Sequence, residues 1–464
     1  MNKVVEFLLG RRKDWHLSMP WIRLPRLALH WIGPLAMLAT VLGTWFAFAG
    51  TNGLDQASTF SMWVGAVSIL LMAWSFVLAL RISVLERAWG GLDSMYRGHR
   101  WSGSLAIIFM FLHTSIEPET DGAAVIAGAS NNVADTAEDL AGTGQTILYV
   151  LIGLSLVRLI PYRWWRWTHK LFGIPFAFAS WHFYTARKPF DNASAWGWFF
   201  AAVMLVGLAA WLARILVRDT VSQGTSYTVK TAETTGSITQ LSLAPTGNSL
   251  DYKPGQFAFL RINTPGMKEP HPFSIASAPS SGELEFYIRD LGDWTGKLRN
   301  AELVGASIKV EGPYGTFEPV SHHHDQTVWI AGGVGITPFL ALLREPGGIT
   351  GPTTLLYAVR SIEGDPIVEL LTAAHDSGLI SLELFSSGNR LSPAALDEHF
   401  PDGMAGAHVA LCGPASLVQS MARAASARGA SSIETEDFDI RQGFGPDRSR
   451  EVDQFTQRVA SGRN

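Results

Sequence analysis

Residues 90–116 read GGLDSMYRGHRWSGSLAIIFMFLHTSI: a glycine pair and a basic turn run into an apolar stretch, Trp101–Ile116, with His99 near one end and His113 near the other. At 1.5 Å per residue, a spacing of fourteen parts two imidazoles by roughly 20 Å along a helix, one nitrogen near each membrane face. A second stretch, Thr168–Thr185, repeats the device with His169 and His182, thirteen residues apart. Ionisable side chains inside a span are costly and by default mark function. Imidazole ligates haem iron, and ligation from both sides suits electron transfer rather than capture of a small molecule at the metal. Two helices running the same way therefore offer an inner site, His99 with His169, and an outer site, His113 with His182, for two stacked haems. The alternative for each histidine is an interhelical hydrogen bond. At 100° per residue a spacing of 14 returns within about 40° of one face, whereas 13 misses it by about 140°. The second helix therefore needs a distortion, and Gly173 and Pro175 are placed to supply it.

The rest of the chain agrees with a membrane setting. Of 464 residues, 47% are hydrophobic, 16% are charged and 17 are Trp, a composition too apolar for a soluble protein of about 25% charge. The apolar residues gather in six stretches: Trp31–Gly50, Phe60–Leu80, Trp101–Ile116, Gly144–Ile160, Thr168–Thr185 and Trp196–Leu216. Several reach the ~20 residues that cross a bilayer. We expect a six-helix transmembrane bundle over 31–216, preceded by a cytoplasmic N-terminal arm, 1–30. Basic residues fall on one side: Lys3, Arg11, Arg12, Lys13, Arg23 and Arg26 in the arm, Arg81, Arg87, Arg97 and Arg100 after the second stretch, and Arg158, Arg163, Arg166 and Lys170 after the fourth. Residues 51–59 and 117–143 hold no Lys or Arg, and the last outer loop has only Arg187 and Lys188. Positive loops stay inside, so both termini are expected in the cytoplasm of a multi-pass protein of a plasma or bacterial inner membrane, without a cleavable signal peptide. A net charge of −4 argues against nucleic-acid binding. The single cysteine, Cys412, excludes an intramolecular disulfide, a thiolate iron–sulfur cluster and a multi-cysteine zinc site.

Past a polar linker, 217–225, the pattern changes twice. Over 226–320, period-two strands at Tyr227–Lys230, Ile238–Leu243, Phe257–Ile262, Leu284–Ile288 and Ile308–Val310 predict a small antiparallel β-barrel. Over 326–441, apolar strands at Thr327–Ile330, Thr354–Val359, Ser381–Phe385 and His408–Leu411 alternate with helical segments, predicting an α/β unit with a parallel sheet. A polar tail, 442–464, follows. Ala331-Gly332-Gly333-Val334-Gly335-Ile336-Thr337-Pro338-Phe339 leaves a strand and opens a helix, where glycines let a pyrophosphate approach the backbone at the positive helix end.

Taken together, Gly90-Gly91-Leu92-Asp93, Gly98-His99-Arg100, His113, His169 and His182 resemble the membrane signature of the NADPH oxidase and ferric reductase superfamily. The likeness runs from about Arg81 to Arg441. It implies that the four histidines ligate two b-type haems. In the soluble half, His271-Pro272-Phe273-Ser274-Ile275 resembles the family's FAD motif, which holds the isoalloxazine. Ile288-Arg289-Asp290-Leu291-Gly292-Asp293-Trp294-Thr295 resembles its pyrophosphate motif, with Arg289 on phosphate and Thr295 adding a hydroxyl. The glycine loop together with Leu411-Cys412-Gly413-Pro414 resembles the nicotinamide half of a ferredoxin-reductase module, with Cys412 near the hydride path. Arg360 and Arg390, with Ser386 and Ser387, are candidates for a ribose 2′-phosphate, which favours NADPH over NADH. Phe438 is the candidate aromatic cover of the flavin.

The resemblance implies transfer of electrons from cytosolic NADPH through FAD and two haems to an outer acceptor. Oxygen, giving superoxide, is preferred because Gly292-Asp293-Trp294-Thr295 is similar in wording to the oxidases; a ferric chelate is the runner-up. Arg187 and Lys188 either attract the acceptor or anchor a helix end. A third reading is an electron-delivery subunit whose acidic loop, Glu117–Asp139 with Glu117, Glu119, Asp121, Asp135, Glu138 and Asp139, docks an extracytoplasmic protein. A fourth is a haem-free membrane flavin dehydrogenase. His322–His324 are expected in an exposed interdomain loop, and His16, His30, His375, His399 and His408 in ordinary hydrogen bonds.

Overall fold

The computed structural model describes residues 31–49, 54–116, 118, 131–156, 162–218, 224–264, 267–320 and 324–437. It divides into two compact units, 1–223 and 224–464. The arm, the tail, Phe438, His16, His30, His322, His323, Glu117, Glu119 and Asp121 lie outside the described residues.

The first unit is helical: α1 (Ile32–Gly43), α2 (Gln56–Leu78), α3 (Leu92–Ser115), α4 (Asn131–Leu156), α5 (Tyr162–Lys170), α6 (Gly173–Thr185) and α7 (Ala195–Ala213), with short turns of helix at Trp45–Phe48 and Ser83–Trp89. Among the described residues, three helical stretches are long and apolar enough to cross a membrane: Gln56–Leu78, Asp135–Leu156 and Ala195–Leu216. The helix around His99 begins at Leu92, nine residues ahead of the predicted apolar stretch, because Leu92, Met95 and Gly98 pack inward at helical spacing while Asp93 and Arg97 stay in solvent. A Cβ at Gly98 would fall 2.2 Å from the Trp89 ring.

Two expectations about this unit change. The predicted acidic loop is helical from Asn131, so exposed Asp135, Glu138 and Asp139 ride on α4 rather than on a loop. His169 and His182 do not share a helix either: α5 ends at Lys170 and α6 starts at Gly173. The cause is local. Pro175 has no N–H to give the Leu171 carbonyl, which accepts instead from Ile174 N at 2.9 Å, a tighter turn. Gly173 admits the Trp211 indole, whose atoms would lie 2.0 Å from a Cβ, and Trp211 Nε1 donates to the Lys170 carbonyl at 2.7 Å. The backbone oxygen freed at the end of α5 is thus satisfied from α7.

The second unit holds two sheets. The first comprises β1 (Thr225–Thr235), β2 (Ile238–Pro245), β3 (Phe257–Ile262), β4 (His271–Ser274), β5 (Leu284–Arg289) and β6 (Ser307–Tyr314), in the order β4-β3-β6-β1-β2-β5 and antiparallel throughout. The expected small antiparallel barrel is a six-stranded sheet whose ends β4 and β5 are not hydrogen-bonded to each other, so it is open on that side. Strand β4 went unpredicted because it is short and contains Pro272, which an edge strand tolerates and a central one does not. Helix α8 (Asp293–Asn300) follows β5.

The second sheet is parallel: β7 (Gln326–Gly332), β8 (Thr353–Ala358), β9 (Ser381–Phe385), β10 (Ala407–Gly413) and β11 (Ser432–Asp437), ordered β11-β10-β7-β8-β9. Its helices are α9 (Thr337–Arg344), α10 (Pro366–Asp376), α11 (Pro393–His399) and α12 (Ala415–Ala427). Every residue of β10 is buried, as a central parallel strand covered on both faces requires. One apolar cluster joins Ile238, Ala276 and Tyr287 of the first sheet's region to Trp329, Phe339 and Cys412 of the second. Burial of such surfaces, at roughly 25 cal/mol per Å², holds the halves of this unit together.

Candidate functional site

In the helical unit, α3 presents both of its histidines to α2. His99 Nδ1 lies 2.9 Å from the Ser75 carbonyl oxygen and 2.8 Å from Ser75 Oγ. His113 Nδ1 lies 2.9 Å from the Ser61 carbonyl oxygen and 3.3 Å from Ser61 Oγ. A carbonyl only accepts, so Nδ1 carries the proton in both rings and Nε2 keeps its lone pair, the state a metal ligand needs. The His99 and His169 rings meet edge to face with centroids 6.0 Å apart and planes at 75°, and Trp165 stacks on His169 at 4.9 Å. That separation leaves room for one metal bonded at about 2 Å to a nitrogen on each side. His169 Nδ1 and His182 Nδ1 are buried with no hydrogen-bond partner among the described residues. Sequence reasoning missed Ser61 and Ser75, although they repeat the fourteen-residue spacing of His99 and His113.

Lys188 is not a free outer charge. It is 3% exposed, and its ammonium donates to the carbonyls of Phe183, Tyr184 and Ala186 at 3.2, 3.1 and 3.2 Å, capping the end of α6 just past His182. Arg187 is exposed.

In the second unit, the motif on β4 meets α8. His271 stacks on Trp294 at 4.5 Å, and Phe273, two residues along and so on the same strand face, packs on it at 5.6 Å. Pro272 and Ser274 pair opposite Phe259 and Phe257. Arg289 closes β5 with its guanidinium against the glycine loop: a Cβ at Gly333, whose φ is +56°, would sit 2.9 Å from Arg289 Nη1. Arg289 Nε is buried without a hydrogen bond among the described residues. Thr295 departs from expectation. Its Oγ1 accepts from Leu291 N at 2.9 Å and Gly292 N at 3.0 Å and donates to the Gly292 carbonyl, so it is committed to capping α8 rather than offered to phosphate.

The two glycine segments of the nucleotide half are pressed together at the carboxyl ends of β7 and β10. A Cβ at Gly335 would lie 2.3 Å from the Cys412 carbonyl oxygen, one at Gly332 would lie 2.9 Å from Pro414, and Gly413 backs onto Gly332. Cys412 is fully buried. Thr337 Oγ1 donates to the Val334 carbonyl at 2.8 Å, and buried Pro338 starts α9. Burial raises the Tyr357 hydroxyl's pKa, so it stays protonated and donates to the Gly333 carbonyl at 3.1 Å, fixing the loop. Arg360 and Arg390 are exposed beyond the carboxyl ends of adjacent strands β8 and β9, the edge at which open α/β sheets take ligands. His375 and His399 make the ordinary backbone contacts expected of them. His324 instead stacks on His408 at 5.7 Å, so this end of the triplet is packed.

Comparison with known proteins gives matching assignments. Residues 64–180 match the ferric reductase like transmembrane component, and residues 225–318 match an FAD-binding domain. Ferric reduction oxidase 7 of Arabidopsis thaliana is 25% identical over 317 residues, 61% of this chain and 39% of that protein. Respiratory burst oxidase homolog protein E, also from Arabidopsis thaliana, is 35% identical over 118 residues, 20% of this chain and 12% of that protein. The reductase component of propane 2-monooxygenase from Mycolicibacterium goodii is 33% identical over 205 residues, 40% of this chain and 58% of that protein. The matches thus span little more than half of such relatives at best. The transmembrane match and the apolar helices mark an integral membrane protein.

Proposed function

Because this chain belongs to the NADPH oxidase and ferric reductase superfamily, we propose that it carries electrons from cytosolic NADPH through FAD and two b-type haems to an acceptor on the far side of the membrane. The observation that carries the haem assignment is the approach of the His99 and His169 rings to 6.0 Å, with the Nδ1 proton of His99 given to Ser75 and its Nε2 left to bind. His113 and His182 form the second, outer pair. A histidine pair would hold an iron whose remaining coordination a porphyrin supplies, and ligation from both sides suits electron transfer. Six spans, with both termini inside, bring an inner and an outer histidine from each of two chain segments to matching depths.

Bound FAD takes a two-electron hydride and gives single electrons, which haem iron accepts one at a time. The chain's own residues bind and orient. His271, Phe273 and Trp294 form an aromatic wall for the flavin ring, beside Pro272 and Ser274. Arg289 supplies a cation to its pyrophosphate, and Thr295 holds the turn that presents Arg289's neighbours. Gly332, Gly333 and Gly335, with Thr337 and Pro338 opening α9, and Gly413 and Pro414 opposite, shape the dinucleotide cradle over buried Cys412. Arg360 and Arg390 are proposed to meet a 2′-phosphate, so NADPH is preferred and NADH is the lesser donor. Phe438 is proposed as the flavin cover.

The proposed acceptor is oxygen, giving superoxide. Lys188 supports this reading: its ammonium is buried and binds three carbonyls at the end of α6, so it anchors that end instead of lying open to an anionic chelate, and a neutral acceptor needs no exposed cation. A ferric chelate remains the second acceptor, since the ferric reduction oxidase match covers more of this chain than the burst-oxidase match. Sealed vesicles with NADPH inside decide the matter. Superoxide appearing outside, matched by oxygen uptake, is expected; ferric citrate reduction that is insensitive to superoxide dismutase and proceeds without oxygen uptake overturns the oxidase reading. Rapid turnover with such small acceptors also argues against a dedicated protein partner.

A further inference from the structure

We propose that Ser61 and Ser75 of α2 are positioning residues that set, one haem each, the reduction potential of the site whose α3 histidine they hold. The proposal rests on the reading of His99 and His113 as axial ligands. Each serine touches its histidine twice, once with its carbonyl and once with its hydroxyl: 2.9 and 2.8 Å for Ser75 on His99, 2.9 and 3.3 Å for Ser61 on His113. The fourteen-residue serine spacing runs opposite to that of the histidines, as two antiparallel neighbours require. The His113 ring is also seated sterically, since Gly65, one turn from Ser61, would place a Cβ 2.9 Å from His113 Nδ1. A membrane serine ordinarily returns its hydroxyl to its own helix four residues back. These two reach α3 instead, and Ser61 Oγ also donates to the His113 and Ile116 carbonyls at 3.2 and 2.6 Å.

The chemistry follows from the proton on Nδ1. Its donation to two oxygens pushes electron density onto Nε2 and makes the imidazole a stronger ligand, which favours the ferric state. His169 and His182 lack that support at Nδ1 among the described residues, so each site has one anchored ligand and one unanchored ligand. Removing a serine hydroxyl leaves its carbonyl contact in place. The ring therefore stays seated by the carbonyl, while the second acceptor for Nδ1 is lost together with the hydroxyl's own bonds to α3 carbonyls, His99 for Ser75 and His113 and Ile116 for Ser61.

The experiment is a spectroscopic redox titration of the full-length, haem-loaded protein in detergent, with the His113→Leu variant identifying which step belongs to the outer haem. Ser75→Ala is expected to move the inner step to more positive potential by a factor of about ten in the ferric-to-ferrous ratio, or about 59 mV for a one-electron couple, with the outer step unmoved. Ser61→Ala is expected to do the reverse, and Ser75→Thr to restore the wild-type value. Ser75→Cys, similar in size with a weak acceptor, carries the same test if the alanine variant loses haem. Wild-type potentials in both alanine variants, or a joint shift of both steps from one substitution, overturn the proposal while two bis-histidine haems remain visible. Wild-type protein without haem absorption sinks the ligand assignment itself.

Discussion

Arg344 Nη1 lies 2.6 Å from Glu285 Oε2, and Nη2 donates to Tyr287 Oη at 2.7 Å, so the last turn of α9 is clamped onto β5. The same guanidinium donates to the Ala276 carbonyl at 3.2 Å, and next door Glu345 accepts from Ser280 N and Oγ at 3.0 and 2.9 Å. Burial pushes the Tyr287 phenol up to about 12, so it stays neutral beside the cation. The strand that ends in Arg289 and the helix that opens after the glycine loop are thereby fixed to one another.

Arg344→Ala is expected to lower the stability of this unit by about 2–3 kcal/mol, since the pair is largely buried and Glu285 and Tyr287 lose their partner. It should also slow flavin reduction by NADPH while leaving haem absorption unchanged. Thermal unfolding and stopped-flow flavin bleaching check both outcomes.

Gly335→Ala drives a methyl into the Cys412 carbonyl oxygen, 2.3 Å away, and so forces the loop off β10. A loss of about 1–3 kcal/mol is expected from such overpacking, together with loss of NADP+ binding measured by calorimetry. Gly351→Ala, where a Cβ meets nothing within 4 Å, should leave both unchanged.

His113→Leu should remove the outer haem, lower the Soret absorbance by about half and stop reduction of external acceptors, while NADPH-driven dye reduction at the flavin survives. A full Soret band in the variant contradicts the axial assignment.

His408 gives the stability a pH dependence. Its Nε2 donates to the Glu318 carbonyl at 3.1 Å, leaving Nδ1 buried without a partner among the described residues, and its ring stacks on His324. Burial, reinforced by the adjacent His324, holds its pKa below 6.5 against the opposing pull of Glu318. The unfolded chain therefore takes up a proton that the folded chain resists. The contribution is complete above pH 6.5 and declines as the pH falls below it, with a slope of at most about 1.4 kcal/mol per unit. Melting temperatures across the acid range should show the decline in wild type and a flatter profile in His408→Gln.

The parts legible in the sequence are those with long periodic signals: the apolar runs that became α2 and α7, the alternating strands β2, β3 and β5, and the strand–glycine–helix passage at β7 and α9. Patterns that rest on few residues were not legible. β4 has four residues and a proline, and β11 (Ser432–Asp437) interrupts its apolar pattern with Glu434 and Glu436. The N-terminal ends of α3 and α4 carry too many polar residues to register as apolar stretches. Ser61 and Ser75 were invisible for a related reason: a small polar residue inside a greasy helix barely alters its average, and only contact with a histidine on another helix gives it meaning.

The interruption at Leu171 and Phe172 turns one rod into two short levers meeting at an elbow. Each lever bears a single imidazole, so the angle of one can be adjusted by local sequence change without swinging the other through the full thickness of the lipid. The thirteen-residue interval, awkward for an unbroken spiral, becomes the natural count once the spiral is allowed to restart.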